Sequence, residues 1–425
     1  MLPLYREREI SFILRQTKPR LYLARREWRG FAYLHAAGSI IDTIGIDCES
    51  VAVDDGLPEA DPALLPSPPS EHSDPVRWVF FTSGTTADPK GALHTDGTIA
   101  AGSAGVAASY AMTERDCYPI VFPFTHIGGI GMLFIQLLTG CSAVVVEQFI
   151  ADRTPSLLAR HGITIAAGGT PLALVYLQQQ RLHPERPLFP DLRAVMTGAA
   201  PTPPGLHAEL RGEMGGTGAL ACFGLTEAPF LTAGNVNDPD DKRARTEGRA
   251  VGGAVLRIVD TEGHPCAPGE RGEIQATGPQ ICHGYLDASR NADAFDGAWF
   301  RTGDLGILDD DGYLVITGRM KDIIIRKGEN IAAKEVEDIL HEHPCVAEVA
   351  VVGLPDPLLG ERCCAVVVQR IGAAQFGLAD VAAFCRAQGL AVQKTPEQLE
   401  IVTELPRNAS GKVLKYQLVE RYSQR

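Results

Sequence analysis

Several absences bound this 425-residue chain before any motif is considered. No apolar run is long enough to span a bilayer. The longest, Ile127 to Leu138, holds three glycines and falls short of the ~20 residues a membrane helix needs. The N-terminal stretch, Met1 to Glu9, is charged and has no signal-like apolar core. The ten cysteines show no C-x-x-C or other metal-ligand spacing, and only Cys363 and Cys364 are close. Reduced thiols in the cytoplasm are the expectation. Positive charge is in deficit: a net charge of −13 argues against nucleic acid or an anionic membrane as partner. No internal repeat recurs at a fixed period. The common nucleotide-binding pattern G-x-x-x-x-G-K-[ST] is also missing.

What is present reads as globular, since hydrophobic residues make up 45% and charged ones only 21%. The length exceeds one ordinary core, so two or more domains are expected. Residues 1–54 read as a compact αβ piece, with a helix over Glu7–Gln16 and a strand over Arg20–Leu23. Six prolines among acidic and serine residues mark 55–75 as a surface connection. From Val76 to about Arg319, strand-like runs (Ile163–Ala167, Ala194–Thr197, Val255–Val259, Glu273–Ala276) alternate with helical ones, which predicts layered α/β architecture. From Asp322 a separate small α/β domain is expected. Its elements are a helix over Ala333–His341, strands over Val346–Gly353 and Cys364–Gln369, and a helix over Leu378–Gln388.

The most informative stretch is Phe81-Thr82-Ser83-Gly84-Thr85-Thr86-Ala87-Asp88-Pro89-Lys90-Gly91, directly behind the apolar segment Val76–Phe81. Glycines let backbone N–H groups approach an anion, hydroxyls add donors, and a lysine adds charge. That is the chemistry of a polyphosphate cradle; a polar surface hairpin has the same composition.

Further segments follow in order: Pro123-Phe-Thr-His126-Ile-Gly-Gly129, Thr197-Gly-Ala-Ala-Pro201, Phe223-Gly-Leu-Thr-Glu227, Gly272-Glu273 through Gly284-Tyr285-Leu286, Trp299-Phe-Arg-Thr-Gly-Asp304, Thr317-Gly-Arg-Met-Lys-Asp322, Arg326-Lys-Gly-Glu-Asn330 and Pro406-Arg-Asn-Ala-Ser-Gly-Lys412. This ordered series resembles the adenylate-forming superfamily of acyl-CoA synthetases, carrier-protein adenylation domains and beetle luciferases, and most resembles fatty-acid or cyclic-acid CoA ligases. The resemblance covers residues 1–425, the first 75 only loosely. It implies a large N-terminal ATP- and acyl-binding domain over 1–319, a hinge at 320–322 centred on Lys321, and a small mobile domain over 323–425.

By resemblance, ATP contacts fall on Thr82, Ser83, Gly84, Thr85, Thr86 and Lys90 for the phosphates. Gly198, Ala199, Ala200, Phe223 and Gly224 fall around the base, and Asp304 and Arg319 at the ribose. Thr226 is implied at the α-phosphate, Glu227 at Mg²⁺, and Lys412 as the catalytic lysine that stabilises the charge gathering in the transition state. His126 resembles the gate between the acyl pocket and the thiol path. Gly129, Ala199, Cys222 and Leu225 would line the acyl pocket beside it, with room for an aliphatic or cyclic acid. Gly328 would leave room for the incoming pantetheine and Lys327 or Arg326 would meet CoA phosphates, though a solvated basic turn has the same composition.

The chemistry stands apart from the name. A carboxylate is a poor electrophile, so joining it to a thiol needs a better leaving group; adenylation by ATP supplies one, and needs pyrophosphate held, α-phosphate charge neutralised and the nucleoside fixed. The resulting expectation is an ATP- and Mg²⁺-dependent acid:CoA ligase that alternates its domains between half-reactions. The rivals are an acyl-AMP ligase loading a carrier protein and a catalytically silent nucleotide-binding relative. A homodimer is compatible with either. In such enzymes the phosphate loop lies deeper in the chain, so the resemblance implies that the first part of the large domain is missing, which would expose apolar surface.

Overall fold

A computed structural model describes residues 1, 3, 5–57, 59–65, 74–82, 89–200, 202, 203, 205–327, 329–407 and 412–423. The fold is α/β, with a large domain of several sheets followed by a small one built on a single sheet. No helix among the described residues is long and apolar enough to cross a membrane.

The first residues form a helix over Glu7–Thr17, a strand over Leu21–Ala24, a helix over Tyr33–Ile44 and a strand over Glu49–Ala52 parallel to the first. Leu21, Leu23, Leu137, Leu138 and Val145 remain exposed. The apolar segment before the Thr82–Lys90 motif is a strand, Trp78–Thr82, paired antiparallel with Lys90–His94.

Two helices pack together next. The first, Asp96–Ser109, starts at Thr95, whose hydroxyl accepts the Thr98 N–H while Thr98 Oγ1 accepts the Thr95 N–H, both at 3.1 Å. The second, Ile127–Thr139, is the glycine-broken apolar run. They pack against a mixed five-stranded sheet ordered Arg249–Ala250, Ala228–Ala233, Ala219–Leu225, Ala194–Gly198, Ile165–Ala166. Every residue of Ala194–Gly198 is buried, which explains its continuous apolar character in a parallel strand. The parallel strands Ala194–Gly198 and Ala219–Leu225 end at the same edge, where ligands bind in open α/β sheets. Thr226 and Glu227 form the turn to the next, antiparallel strand.

A second, antiparallel sheet holds Val255–Val259, Gly272–Thr277, Trp299–Leu308, Phe295–Asp296 and Leu314–Arg319. It faces the first across a core that includes Phe223, Leu231, Ile274, Tyr285 and Leu314.

The small domain's sheet comprises Ile323–Arg326, Glu329–Ala332, Val346–Asp356, Gly360–Gln369 and Gln398–Val402. Alternate residues of its long strands face opposite ways. Val349, Val351, Ala365 and Val367 pack on the Ala333–His341 and Leu378–Ala387 helices. Ala350, Val352, Cys364 and Val366 pack on Leu418 and Tyr422 of the Lys415–Tyr422 helix.

Candidate active site

Thr82 and Lys90 lie opposite each other where the two strands are joined by residues 83–89. Ser83, Gly84, Thr85 and Thr86 lie outside the described residues. The Lys90 ammonium sits 5.1 Å over the Tyr285 ring, and the Tyr285 hydroxyl donates to Glu227 Oε1 at 2.7 Å. The same segment holds the Glu227 backbone, whose carbonyl accepts the Cys282 N–H at 2.8 Å.

His94, at the end of the Lys90–His94 strand, is fully buried and reaches the neighbouring turn. Its Nε2 lies 2.8 Å from the Thr226 carbonyl and its Nδ1 2.9 Å from Thr98 Oγ1. A carbonyl only accepts, so Nε2 carries the proton and Nδ1 receives the Thr98 hydroxyl. Burial pushes this imidazole down to about 4, so it is neutral across the physiological range.

Asp304 stands directly opposite Arg319 in the antiparallel register, and Arg319 Nε meets Asp304 Oδ1 at 2.7 Å. Thr302 fixes the approach, donating to the Ile274 carbonyl at 2.7 Å and accepting the Asp304 N–H at 3.0 Å. Asp304 is only 2% exposed, and its Oδ2 has no partner among the described residues. Burial raises its carboxyl above the ordinary range, with Arg319 and Lys412 opposing. An orphaned buried carboxylate oxygen is costly unless a ligand donor completes it, and ribose hydroxyls are suitable donors.

Lys412 arrives at this point from the small domain. The isolated bridge between Arg407 and Val413 and the Leu414 N–H to Pro406 carbonyl bond shape its approach. Its ammonium is pushed down to about 8, first by burial and then by Arg319, with Asp304 and Asp322 opposing. Three residues on, Lys415 pairs with Glu337 at 2.8 Å and Asp322 at 3.4 Å.

Around the expected base site, Gly198 has φ +125°, and a Cβ there would lie 2.1 Å from the Cys222 carbonyl oxygen, so only glycine fits. Ala199 has φ +60°, a strained conformation that often marks a ligand-facing turn. Thr170 braces the turn, accepting the Gly198 N–H at 3.1 Å and donating to the Ala200 carbonyl at 3.3 Å. Phe223 is buried in the core between the sheets, while Gly224 is exposed on the same strand.

At the expected acyl pocket, His126 caps the Ile127–Thr139 helix by accepting the Gly128 N–H on Nδ1 at 3.0 Å, and its ring stacks on Phe122. Burial holds this imidazole below its ordinary value. Gly129 lies in the helix's first turn and donates to the His126 carbonyl at 3.0 Å. Cys222 is buried in the cluster that Phe122 and Phe230 pack against. Leu225 is three residues along the strand from Cys222 and packs with Phe223 in the other cluster, so the structure does not bring it to the Cys222 side.

Lys321 lies exposed in a single 3₁₀ turn, Met320–Asp322. Lys327 is exposed with φ +49° and donates its N–H to the Leu359 carbonyl at 2.7 Å. Gly328 lies outside the described residues. Arg326 is committed to Glu397 at 2.6 Å, which removes it as an equal of Lys327 in this arrangement.

Sequence reasoning passed over His94, Tyr285 and Thr170. The first two lie beside motifs it identified, three residues past Gly91 and within Gly284-Tyr285-Leu286; Thr170 had no signal.

Comparison with known proteins places the chain among its relatives. The family model described as AMP-binding enzyme matches residues 1–286, and that of the AMP-binding enzyme C-terminal domain matches 335–412. The chain is 31% identical to the medium-chain fatty-acid–CoA ligase of Escherichia coli (strain K12), over 98% of this chain and 75% of that protein. It is 34% identical to a 2-succinylbenzoate–CoA ligase of Bacillus velezensis, over 82% of this chain and 69% of the other. Among solved structures, the O-succinylbenzoate coenzyme A synthetase of Bacillus subtilis in complex with ATP and magnesium ion is similar. Its TM-score is 0.82 at 28% identity, covering 97% of this chain and 82% of that one.

Proposed function

The chain belongs to the AMP-binding enzyme family, and on that premise we propose that it is an ATP- and Mg²⁺-dependent acid:CoA ligase, AMP-forming, acting through an acyl-adenylate. One observation carries the site assignment: the orphaned Oδ2 of Asp304 beside Arg319, with Lys412 of the other domain brought to the same place. Asp304 accepts the ribose hydroxyls and Arg319 holds it in position. Lys90 and the hydroxyls and amides from Thr82 to Thr86 take the pyrophosphate end. Thr226 meets the α-phosphate. Glu227 Oε2, with no protein donor among the described residues, is the oxygen offered to Mg²⁺, which supplies charge neutralisation on the phosphates when bound.

In the first half-reaction the acid's carboxylate oxygen attacks the α-phosphorus, and the bond to pyrophosphate breaks. Lys412 stabilises the negative charge that builds on the transferred group. In the second, the CoA sulfur attacks the acyl carbon and AMP leaves. On this reading the thiol approaches from the side that Lys412 holds, so the domain over 323–425 turns about Lys321 and brings Lys327 and Gly328 toward the incoming pantetheine. His126, neutral and stacked on Phe122, gates that path without acting as an acid or base. The surroundings of Cys222, Phe122 and Phe230 support an aliphatic or cyclic acid as substrate. The ten free thiols suit a reducing cytoplasm.

The test is pyrophosphate release across a panel of carboxylic acids, with the thioester detected by mass. CoA thioester with at least one acid is the expected result. Release of pyrophosphate with thioester formed only on a holo-carrier protein would replace CoA as acceptor. No release with any acid would leave a silent nucleotide-binding relative.

A further inference from the structure

The Gly284-Tyr285-Leu286 motif has no part in the mechanism above, yet it lies between two of its charged groups. Its backbone continues the hairpin: Leu286 donates to the Gly91 carbonyl at 2.8 Å and Leu93 to that of Gly284 at 2.9 Å. Gly284 has φ +90°, and a Cβ there would lie 2.7 Å from Asn291 Nδ2. Glycine therefore lets Asn291 close in and accept the Tyr285 N–H on Oδ1 at 2.8 Å. Tyr285 is thereby fixed from three sides and is 4% exposed. One face of its ring carries the Lys90 ammonium at 5.1 Å, and its hydroxyl donates to Glu227 Oε1 at 2.7 Å.

We propose that Tyr285 is a positioning residue that occupies Oε1 of Glu227, so that Oε2 alone is presented to the metal, and that its ring sets Lys90 at the matching distance along the triphosphate. This rests on the reading of Glu227 as the Mg²⁺ ligand. A ligating carboxylate held by a hydrogen bond loses little orientational freedom when the metal binds, and such partners commonly govern metal affinity by about 10- to 100-fold. The cation–π contact adds a smaller preference for Lys90 over the ring. One side chain thus couples the pyrophosphate end of the nucleotide to the metal.

The experiment measures Mn²⁺ affinity by EPR in the presence of a non-hydrolysable ATP analogue, for the full chain and for Tyr285→Phe, Glu227→Gln and the double variant. Tyr285→Phe keeps the ring and its packing, so the melting temperature stays within a few degrees and metal-free analogue binding within about 2-fold. Its Mn²⁺ affinity falls about 10-fold or more. Added to Glu227→Gln, it costs nothing further, because it acts through that carboxylate. Unchanged Mn²⁺ affinity in Tyr285→Phe, with Glu227→Gln weakened, overturns the role of Tyr285 alone. Unchanged affinity in Glu227→Gln overturns the reading of Glu227 and this inference with it. Lys90→Met is the independent arm: analogue affinity falls in the parent background, and falls by less in the Tyr285→Leu background. Equal losses in both backgrounds refute the coupling.

Discussion

His94 and Thr226 are joined by a 2.8 Å hydrogen bond from the imidazole Nε2–H to the peptide carbonyl. The bond ties the end of the Lys90–His94 strand to the turn that carries Thr226 and Glu227. The donor has no water to replace it, since His94 is fully buried and its other nitrogen is engaged by Thr98.

Stability should therefore depend on acid through this residue. The folded imidazole is held down at about 4, against 6.5 for an unburied one. The unfolded chain takes up the proton first, so the full stability is present above pH 6.5 and drains away as the pH falls toward 4. Between pH 7 and 4.5 the parent should lose about 2–3 kcal/mol more than His94→Gln, which cannot titrate. Thermal melts across that range test this; parallel pH profiles for the two proteins would refute it.

Lys412 should limit activity on the alkaline side. Its ammonium, lowered to about 8 by burial and Arg319, loses its charge as the pH rises through that value. The kcat/KM for pyrophosphate release, which reports the free enzyme, should fall above pH 8. Lys412→Ala should lower the rate by about 10²–10³ and abolish that limb. Lys412→Arg stays charged, so whatever activity it retains should not decline there. A parent profile flat to pH 9.5 would show that Lys412 is not the group limiting the alkaline side near pH 8.

Asp304→Asn should separate binding from stability. The carboxylate is buried with one oxygen unpartnered, and burial raises its carboxyl, so its charge opposes folding at neutral pH. Arg319 is partly exposed and water can take over its lost partner. The variant should melt no lower than the parent while its KM for ATP rises about 10- to 100-fold, the loss of hydrogen bonds to a charged acceptor. A lowered melting temperature with unchanged KM would make Asp304 a structural residue.

Lys321→Pro should divide the two half-reactions. Proline fixes φ near −65° and restricts rotation at the exposed turn over Met320–Asp322. Pyrophosphate release should remain within a few-fold of the parent, while acyl-CoA formation falls by about 100-fold or more. Single-turnover measurements of each step decide the matter; equal losses in both would remove Lys321 as the pivot.

Legibility in the sequence followed the physics of each feature. The helix over Ala333–His341 has the boundaries that apolar periodicity predicts, because it buries one side, and the strand over Val255–Val259 has the bounds of its apolar run. Ile163–Ala167 shortened to a strand over Ile165–Ala166, since the flanking residues pack without a ladder partner. Lys412 and Asp304 were legible as members of short ordered motifs.

The amino-acid sequence by itself determined the order of the motifs, the two-domain α/β plan and the chemical types needed to hold ATP, since glycines, hydroxyls and charges act locally. Which of them meet was a matter of tertiary structure. Asp304 and Arg319 face each other through strand register, and Lys412 joins them from another domain. Leu225 turns away from Cys222 because strand neighbours three apart point to opposite faces. His94 and Tyr285 sit in plain view beside the motifs, but a buried histidine or tyrosine is ordinarily core. Only the placement of their polar atoms against Thr226 and Glu227 distinguishes them, and that placement depends on residues far apart in the chain packing together.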